Sequence, residues 1–165
     1  MNPPQDVIEL ILEDHRTLEG LLRLMRSVEA DRHAALHDFA DLLIAHGHAE
    51  ESVLHPPLRP YAHTDFFERI EAEHDESTRV LLALLDVPDI GSAAWDRRLQ
   101  QMAAAVCRHS DGTERTLLNL GRAQLDGFHR AELAQEFAET RHRMLRSGCG
   151  SADAVHGLLY ADVPA

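Results

Sequence analysis

Apolar residues recur at helical spacing, every three or four positions, along four long segments of the sequence. In the first segment they are Ile8, Ile11, Leu12, Leu18 and Leu22. This spacing places apolar side chains on one face of an α-helix, and that face must be buried against other elements. No segment shows the alternating pattern of a half-buried strand. The sequence therefore predicts an all-α fold.

Prolines and capping residues divide this pattern into elements. The predicted helices cover about residues 4–28, 31–55, 64 or 65 to 85, 93–126 and 128–145. Pro56-Pro57 is expected to stop the second helix, and Ser92 is expected to cap the fourth. Short loops between the four long helices favour an antiparallel up-down four-helix bundle with a short extra C-terminal helix. We assign residues 1–146 to this domain and 147–165 to a C-terminal tail, either docked or frayed.

The charge balance argues against two classes of partner. With 28 acidic and 16 basic residues, the formal net charge is −12, whereas nucleic acids and anionic membrane surfaces attract basic patches. No apolar run is long enough for a transmembrane helix, and the first residues lack a secretory signal, so we expect a cytoplasmic protein. Cys107 and Cys149 are too few for a disulfide framework. A chain of 165 residues suits one domain.

Histidine is unusually frequent, with 12 residues. Each long helix places one histidine within its apolar stripe, and the second helix adds a glutamate. These residues are His15, His46 with Glu50, His74 and His109. A lone histidine on an apolar face is usually a hydrogen-bonded core residue, but imidazoles and carboxylates that converge between helices commonly hold two metal ions. Such mixed ligands suit iron, with zinc or manganese as alternatives. His48 and His55 lie about half a turn from His46 and are predicted to face away from the core.

Ser110-Asp111-Gly112 is turn chemistry inside the fourth predicted helix. In a regular helix, Glu114 would lie about 140° around the axis from His109. One extra residue in the turn, a π-bulge, would bring Glu114 beneath His109, and such bulges are frequent at functional sites. The same bulge would turn Leu117-Leu118 towards the core. The alternative is a simple kink with Thr113 facing the core.

Four stretches of the sequence together resemble the successive motifs of the hemerythrin-like HHE cation-binding family. They read LEDHRTLEGLL, HGHAEESVLHPPL, EAEHDE and HSDGTERTLL, and the likeness covers about residues 6–123. The resemblance implies a four-helix bundle with a non-haem di-iron site, in which an oxo or hydroxo group joins the two irons. The ligands that it implies are His15, His46, Glu50, His74, His109 and Glu114, with both carboxylates bridging the irons.

This chain departs from the family pattern on the third helix. Oxygen-carrying members have a second histidine there, and this chain has Thr78. Either an iron keeps a water-filled position, or another carboxylate fills it. Glu19 and Glu71 both face the right way, although ordinary boundary charges would look the same. A second departure is His55, where relatives often have an aromatic residue.

The resemblance also implies a function. Members of the family bind dioxygen, nitric oxide or peroxide, and labile coordination favours turnover of the bound small molecule. We therefore expect a monomer or homodimer that binds one of these molecules, with catalase-like or nitric-oxide-reducing activity if it is an enzyme. The alternatives are a non-catalytic oxygen or iron sensor, an iron store, and a structural zinc bundle.

Overall fold

All regular structure in residues 5–161, the part of the chain that the computed structural model describes, is helical. The α-helices in chain order are α1 (Val7–Arg26), α2 (Arg32–Ala49), α3 (His55–Leu58), α4 (Thr64–Leu85), α5 (Ala93–Arg115), α6 (Leu117–Gln124), α7 (Gly127–Arg146) and α8 (Ala152–Tyr160). A π-helical segment, Glu50–Leu54, joins α2 to α3, and a 3-10 turn, Arg59–Tyr61, follows α3. The predicted all-α fold is confirmed. The up-down order of the long helices stays a prediction.

Short polar side chains cap the N-termini of several of these helices. Ser92 accepts a hydrogen bond from the Trp95 N–H at 3.1 Å, as predicted, and a cap of this kind stabilises a helix by about 1 kcal/mol. The predicted start of the first helix at Pro4 lies outside the described residues. Within them, α1 begins after Asp6, whose carboxylate accepts from the Ile8 N–H. Among these helices, none combines the length and apolarity needed to cross a bilayer.

The second predicted helix does not stop at Pro56-Pro57, which corrects the sequence-based boundary. After Ala49 the winding widens, and the His55 N–H bonds to the carbonyl oxygen of Glu50, five residues earlier. The two prolines then lie in the first turn of α3. First-turn N–H groups have no partner within a helix, so proline is accommodated there.

The predicted π-bulge in the fourth helix is wrong. Helix α5 is regularly α-helical through Gly112 and Glu114. The helix is interrupted at Thr116, whose backbone angles are φ −115° and ψ −76°. Thr113 is 1% exposed, as the alternative kink required. The break at Thr116 lets α6 start in a new direction, and this turns Leu117-Leu118 into the core, where both are 0% exposed.

Two apolar clusters make up the core, one towards each end of the long helices. The Trp95 cluster includes Leu22, Phe39 and Leu81, and the Phe137 cluster includes Ile8, Leu54 and Leu118. A layer of buried polar side chains belongs to neither cluster. It contains Asp14, His15, His46, Glu50, His55 and His109. The fold therefore places its polar groups together, enclosed by apolar packing.

Residues 147–161, the described part of the segment predicted as a docked or frayed tail, are docked and partly helical. Cys149 and Val155 belong to the Trp95 cluster, and the Gly150 N–H donates to Asp41 Oδ1 at 2.6 Å. A Cβ at Gly150 would lie 2.3 Å from the backbone nitrogen of Asp41, so only glycine allows this approach. Helix α8 follows directly. The division of the chain into residues 1–146 and 147–165 stays a prediction.

Candidate metal centre

Glu50 lies at the centre of the buried polar layer. Its side chain is 0% exposed, and neither carboxylate oxygen has a hydrogen-bond partner among the described residues. Oε2 lies 3.6 Å from His46 Nε2. Oε1 lies 3.5 Å from His74 Nε2 and 3.8 Å from His55 Nε2. Since burial of an ionised carboxylate without hydrogen bonds costs several kcal/mol, a cation beside Glu50 would remove a large penalty.

Three of the imidazoles form a compact donor set with this carboxylate. One ligand atom each from His15, His46, Glu50 and His109 lies within 4.8 Å of the other three. His74 adjoins this set, with its Nε2 3.3 Å from His109 Nε2. The Nε2 atoms of His15 and His46 are buried without a hydrogen-bond partner in residues 5–161. Imidazole nitrogens whose free lone pairs face one another are suited to bind a metal ion that lies between them.

A second ring of carboxylates holds the outer nitrogens of the same imidazoles. The Nδ1 distances are 3.0 Å from His15 to Glu114, 3.1 Å from His46 to Asp14, 3.4 Å from His55 to Glu71, 2.6 Å from His74 to Glu51 and 3.6 Å from His109 to Glu73. At His15, His46 and His55, a carboxylate that accepts from Nδ1 keeps the proton there and leaves the Nε2 lone pair free. This carboxylate–histidine arrangement is the usual support of metal-ligating histidines.

The charges of the layer also suit a cation. Burial, aided by nearby imidazoles, lowers the pKa of His15 to about 4, so this side chain is neutral at pH 7. Burial alone would raise the pKa of Glu50, but the surrounding imidazoles, His55 first, hold it below its usual range. Burial alone would lower the pKa of His109, but Glu73 and Glu50 raise it. The buried glutamate is thus held as an anion, and its charge and that of Glu73 favour the protonated form of His109.

The structure brings most of the predicted ligands together, but not all. His15, His46, Glu50 and His109 form the compact set, and His74 lies beside it. Glu114 lies outside the set, with its side chain 43% exposed and bonded to the outer nitrogen of His15.

The two additional candidates also point away from the compact set. Glu19 is 45% exposed and pairs with Arg23, and Glu71 lies between Arg59 and His55 Nδ1. Which residues bind metal stays a prediction.

Sequence reasoning missed His55, which was predicted to face away and is 0% exposed. The π-helical segment causes this difference, because it changes the angle between Glu50 and His55 from that of a regular helix. The i+5 spacing of these residues, directly before two prolines, is the signal that could have found it. His48 is exposed, as predicted.

A cavity of about 180 Å³ reaches the centre from the side of α8. His46, His74 and His109 line it, and the rest of its lining is mixed. The other polar lining residues are His48, Glu51, Asp75, Ser77, Thr78 and Ser110. The apolar lining residues are Leu18, Leu43, Ile44, Val106, Met144, Leu158 and Leu159.

Comparisons with known proteins agree with this centre. The model of the hemerythrin HHE cation binding domain matches residues 6–120. No curated protein matches the chain. Among solved structures, the chain is similar to a hemerythrin HHE cation binding domain-containing protein from Mycobacterium kansasii, with a TM-score of 0.80 and 21% identity over 92% of this chain and 98% of that one. That likeness shows a hemerythrin-like fold. Since the family model spans well over half of the sequence, the chain belongs to the hemerythrin HHE cation-binding family.

Proposed function

We propose that this protein holds two iron ions within an antiparallel four-helix bundle and binds dioxygen, nitric oxide or peroxide there. The observation that carries the proposal is the Glu50 carboxylate. It is fully buried, and its two oxygens face different imidazoles, His46 on one side and His74 on the other. In this position Glu50 would help to hold both ions, with the imidazoles on either side as further ligands.

The donor set fits iron. The residues that would hold the ions are His15, His46, Glu50, His74 and His109, and Glu114 would join them by leaving the Nδ1 atom of His15. Imidazole and carboxylate together are typical ligands of non-haem iron, and no cysteine sulfur lies in the set. Five orphaned ring or carboxylate atoms, on His15, His46, Glu50 and His55, match what bound cations would satisfy.

Two irons in such a centre would supply electrons and a vacant position for a small ligand. The chain's own residues provide access and support. The cavity leads to His46, His74 and His109, and Thr78 lines it where the expected fifth histidine is absent. The Thr78 hydroxyl donates to the His74 carbonyl at 2.8 Å, so it occupies little of this space. Because the centre is accessible beside Thr78, catalytic turnover of a bound small molecule is favoured over reversible carriage of dioxygen. We propose that the reaction is peroxide disproportionation, in which two H₂O₂ give two H₂O and one O₂.

Metal content, visible absorption and oxygen release together test this proposal. We expect about two irons per chain, absorption bands that change when peroxide is added, and oxygen evolution that the Glu50→Gln variant lacks. If the protein contains two irons and shows the absorption bands but releases no oxygen, it would instead be a carrier, a sensor or an iron store. His37→Gln, which changes an exposed histidine of α2, is the matched control.

A mononuclear zinc site is the second candidate. The compact set of three imidazoles and one carboxylate has the number of ligands that a structural zinc ion takes. One zinc per chain, with no visible bands and no response to peroxide, would favour it over the di-iron centre.

A further inference from the structure

We propose that His55 is a ligand of one of the two irons, in place of the imidazole that Thr78 cannot supply. This inference rests on the proposed di-iron function. It assigns the position that the sequence left open between water and an added carboxylate.

The first support is where the His55 ring points. His55 is 0% exposed, and its Nε2 has no hydrogen-bond partner among the described residues. That atom lies 3.8 Å from Glu50 Oε1, the same oxygen that His74 Nε2 approaches to 3.5 Å. At 3.8 Å the contact is too long for a hydrogen bond. His55 and His74 therefore present nitrogen atoms to one side of the central carboxylate.

The second support is the outer nitrogen of the same ring. His55 Nδ1 lies 3.4 Å from Glu71 Oε1, and Glu71 also accepts from Arg59 at 2.7 Å. The ring of Phe67 packs against His55 with centroids 5.2 Å apart. His55 thus has the carboxylate on Nδ1 and the free inward Nε2 that His15 and His46 also have. A structural core histidine would use both nitrogens.

The third support is the local winding. In a regular α-helix, His55 would lie about 140° around the axis from Glu50. The π-helical segment brings the two side chains to the same face, and π-bulges of this kind are concentrated at functional sites. The widened turn costs helical hydrogen-bond quality, and a ligand position for His55 explains why the chain keeps it.

The test is a titration of ferrous ions, under argon, into the metal-free wild type and two variants. His55→Gln keeps an N–H that can donate to Glu50 but lacks the imidazole. His55→Gly leaves room for added imidazole. Binding stoichiometry and the Mössbauer spectra of the loaded proteins are recorded. Melting of the metal-free variants checks that each is folded, and His37→Gln is the control.

We expect both variants to bind the second iron at least about tenfold more weakly, with one Mössbauer doublet changed. Added imidazole should restore the second iron in His55→Gly. Two irons with unchanged doublets in His55→Gln would overturn the inference, because a hydrogen bond would then suffice. Failure of imidazole to restore binding in folded His55→Gly would also count against a ligand role. Fewer than two irons in the wild type would instead overturn the proposed function.

Discussion

Helices α2 and α5 carry the same type of motif, a histidine followed by a glutamate, but wind differently after it. In α2, Glu50 follows His46 by four residues, and the winding widens directly afterwards. In α5, Glu114 follows His109 by five residues, and the helix stays regular to Arg115. Glu50 is fully buried, whereas the Glu114 side chain is 43% exposed.

The difference teaches that motif spacing alone does not locate a distortion. A spacing of four already aligns His46 with Glu50, so the π-helical turn of α2 serves the next side chain, His55. A spacing of five requires a distortion for alignment, yet α5 lacks one, and Glu114 supports His15 from outside. The two carboxylates therefore have unequal roles in the metal-free protein.

Single-residue deletions give the sharpest test of this comparison. Removing the exposed Ser52 should convert the π-helical turn to regular α-helix and keep Glu50 and His55 on one face, so the free energy of unfolding should change by within about 1 kcal/mol. Removing the exposed Asp111 should rotate Leu117-Leu118 by about 100°. We expect that deletion to cost at least about 4 kcal/mol, since it takes two buried leucines out of the core. Urea unfolding of the metal-free proteins measures both, and equal losses would show that the two windings are equivalent.

Substituting the two glutamates gives the next largest difference. Glu50→Gln removes the charge that faces both sets of imidazoles, and we expect iron affinity to fall by well over about 100-fold. Glu114→Gln removes a support of His15, for which losses of about 10- to 100-fold are typical. Ferrous titration measures both affinities, with the exposed Glu76→Gln as the control. If Glu114→Gln proved as damaging as Glu50→Gln, the carboxylates would be equivalent in the loaded protein.

The cysteines report on the packing around the same two helices. Cys107 is exposed on α5, whereas Cys149 is buried and its Sγ lies 3.4 Å from the Asp41 carbonyl of α2. Burial, aided by Asp41, raises the pKa of the Cys149 thiol to about 11. At pH 8 we expect a thiol reagent to modify Cys149 at least about 100-fold more slowly than Cys107, because the thiolate is the reactive form. Comparable rates would mean that the segment after α7 opens readily.

Replacement of Gly112 should have the smallest effect. Its position is regularly helical, and nothing lies within 4 Å of a Cβ built there. Gly112→Ala should therefore stabilise the protein by about 0.5–1 kcal/mol and leave iron content unchanged. Thermal unfolding and metal analysis measure the two quantities. A loss of iron in this variant would restore the idea that α5 loosens to position Glu114.

Much of this architecture follows from the sequence, because apolar periodicity extends along each whole helix and capping residues mark where a helix begins. Apolar spacing predicted the all-α fold and the inward faces of His15, His46 and His109. It did not predict the winding at Glu50–Leu54, since one extra residue in a turn hardly alters a periodic pattern. Burial of Leu54 and Leu58, both 0% exposed, accompanies this winding, and such tertiary contacts are not legible in the local sequence.

The glycine at position 112 also led to a wrong prediction of local helix distortion. Gly112 indicated local softness, but tertiary packing keeps α5 regular there. The outer carboxylates Asp14, Glu51 and Glu73 were missed because on their own helices they look like ordinary surface charges. Only the meeting of different helices shows that each faces an imidazole.

The contact between Asp14 and Arg141 sets an order of events in the making of this protein. Asp14 accepts from both His46 and Arg141, and Arg141 lies on α7, beyond the segment that the family model matches. While the ribosome is still adding α7, a chain that already has His15, His46, His74 and His109 lacks the cation that balances Asp14. The support of His46 through Asp14 is therefore complete only after α7 has been made and has packed against α1 and α2.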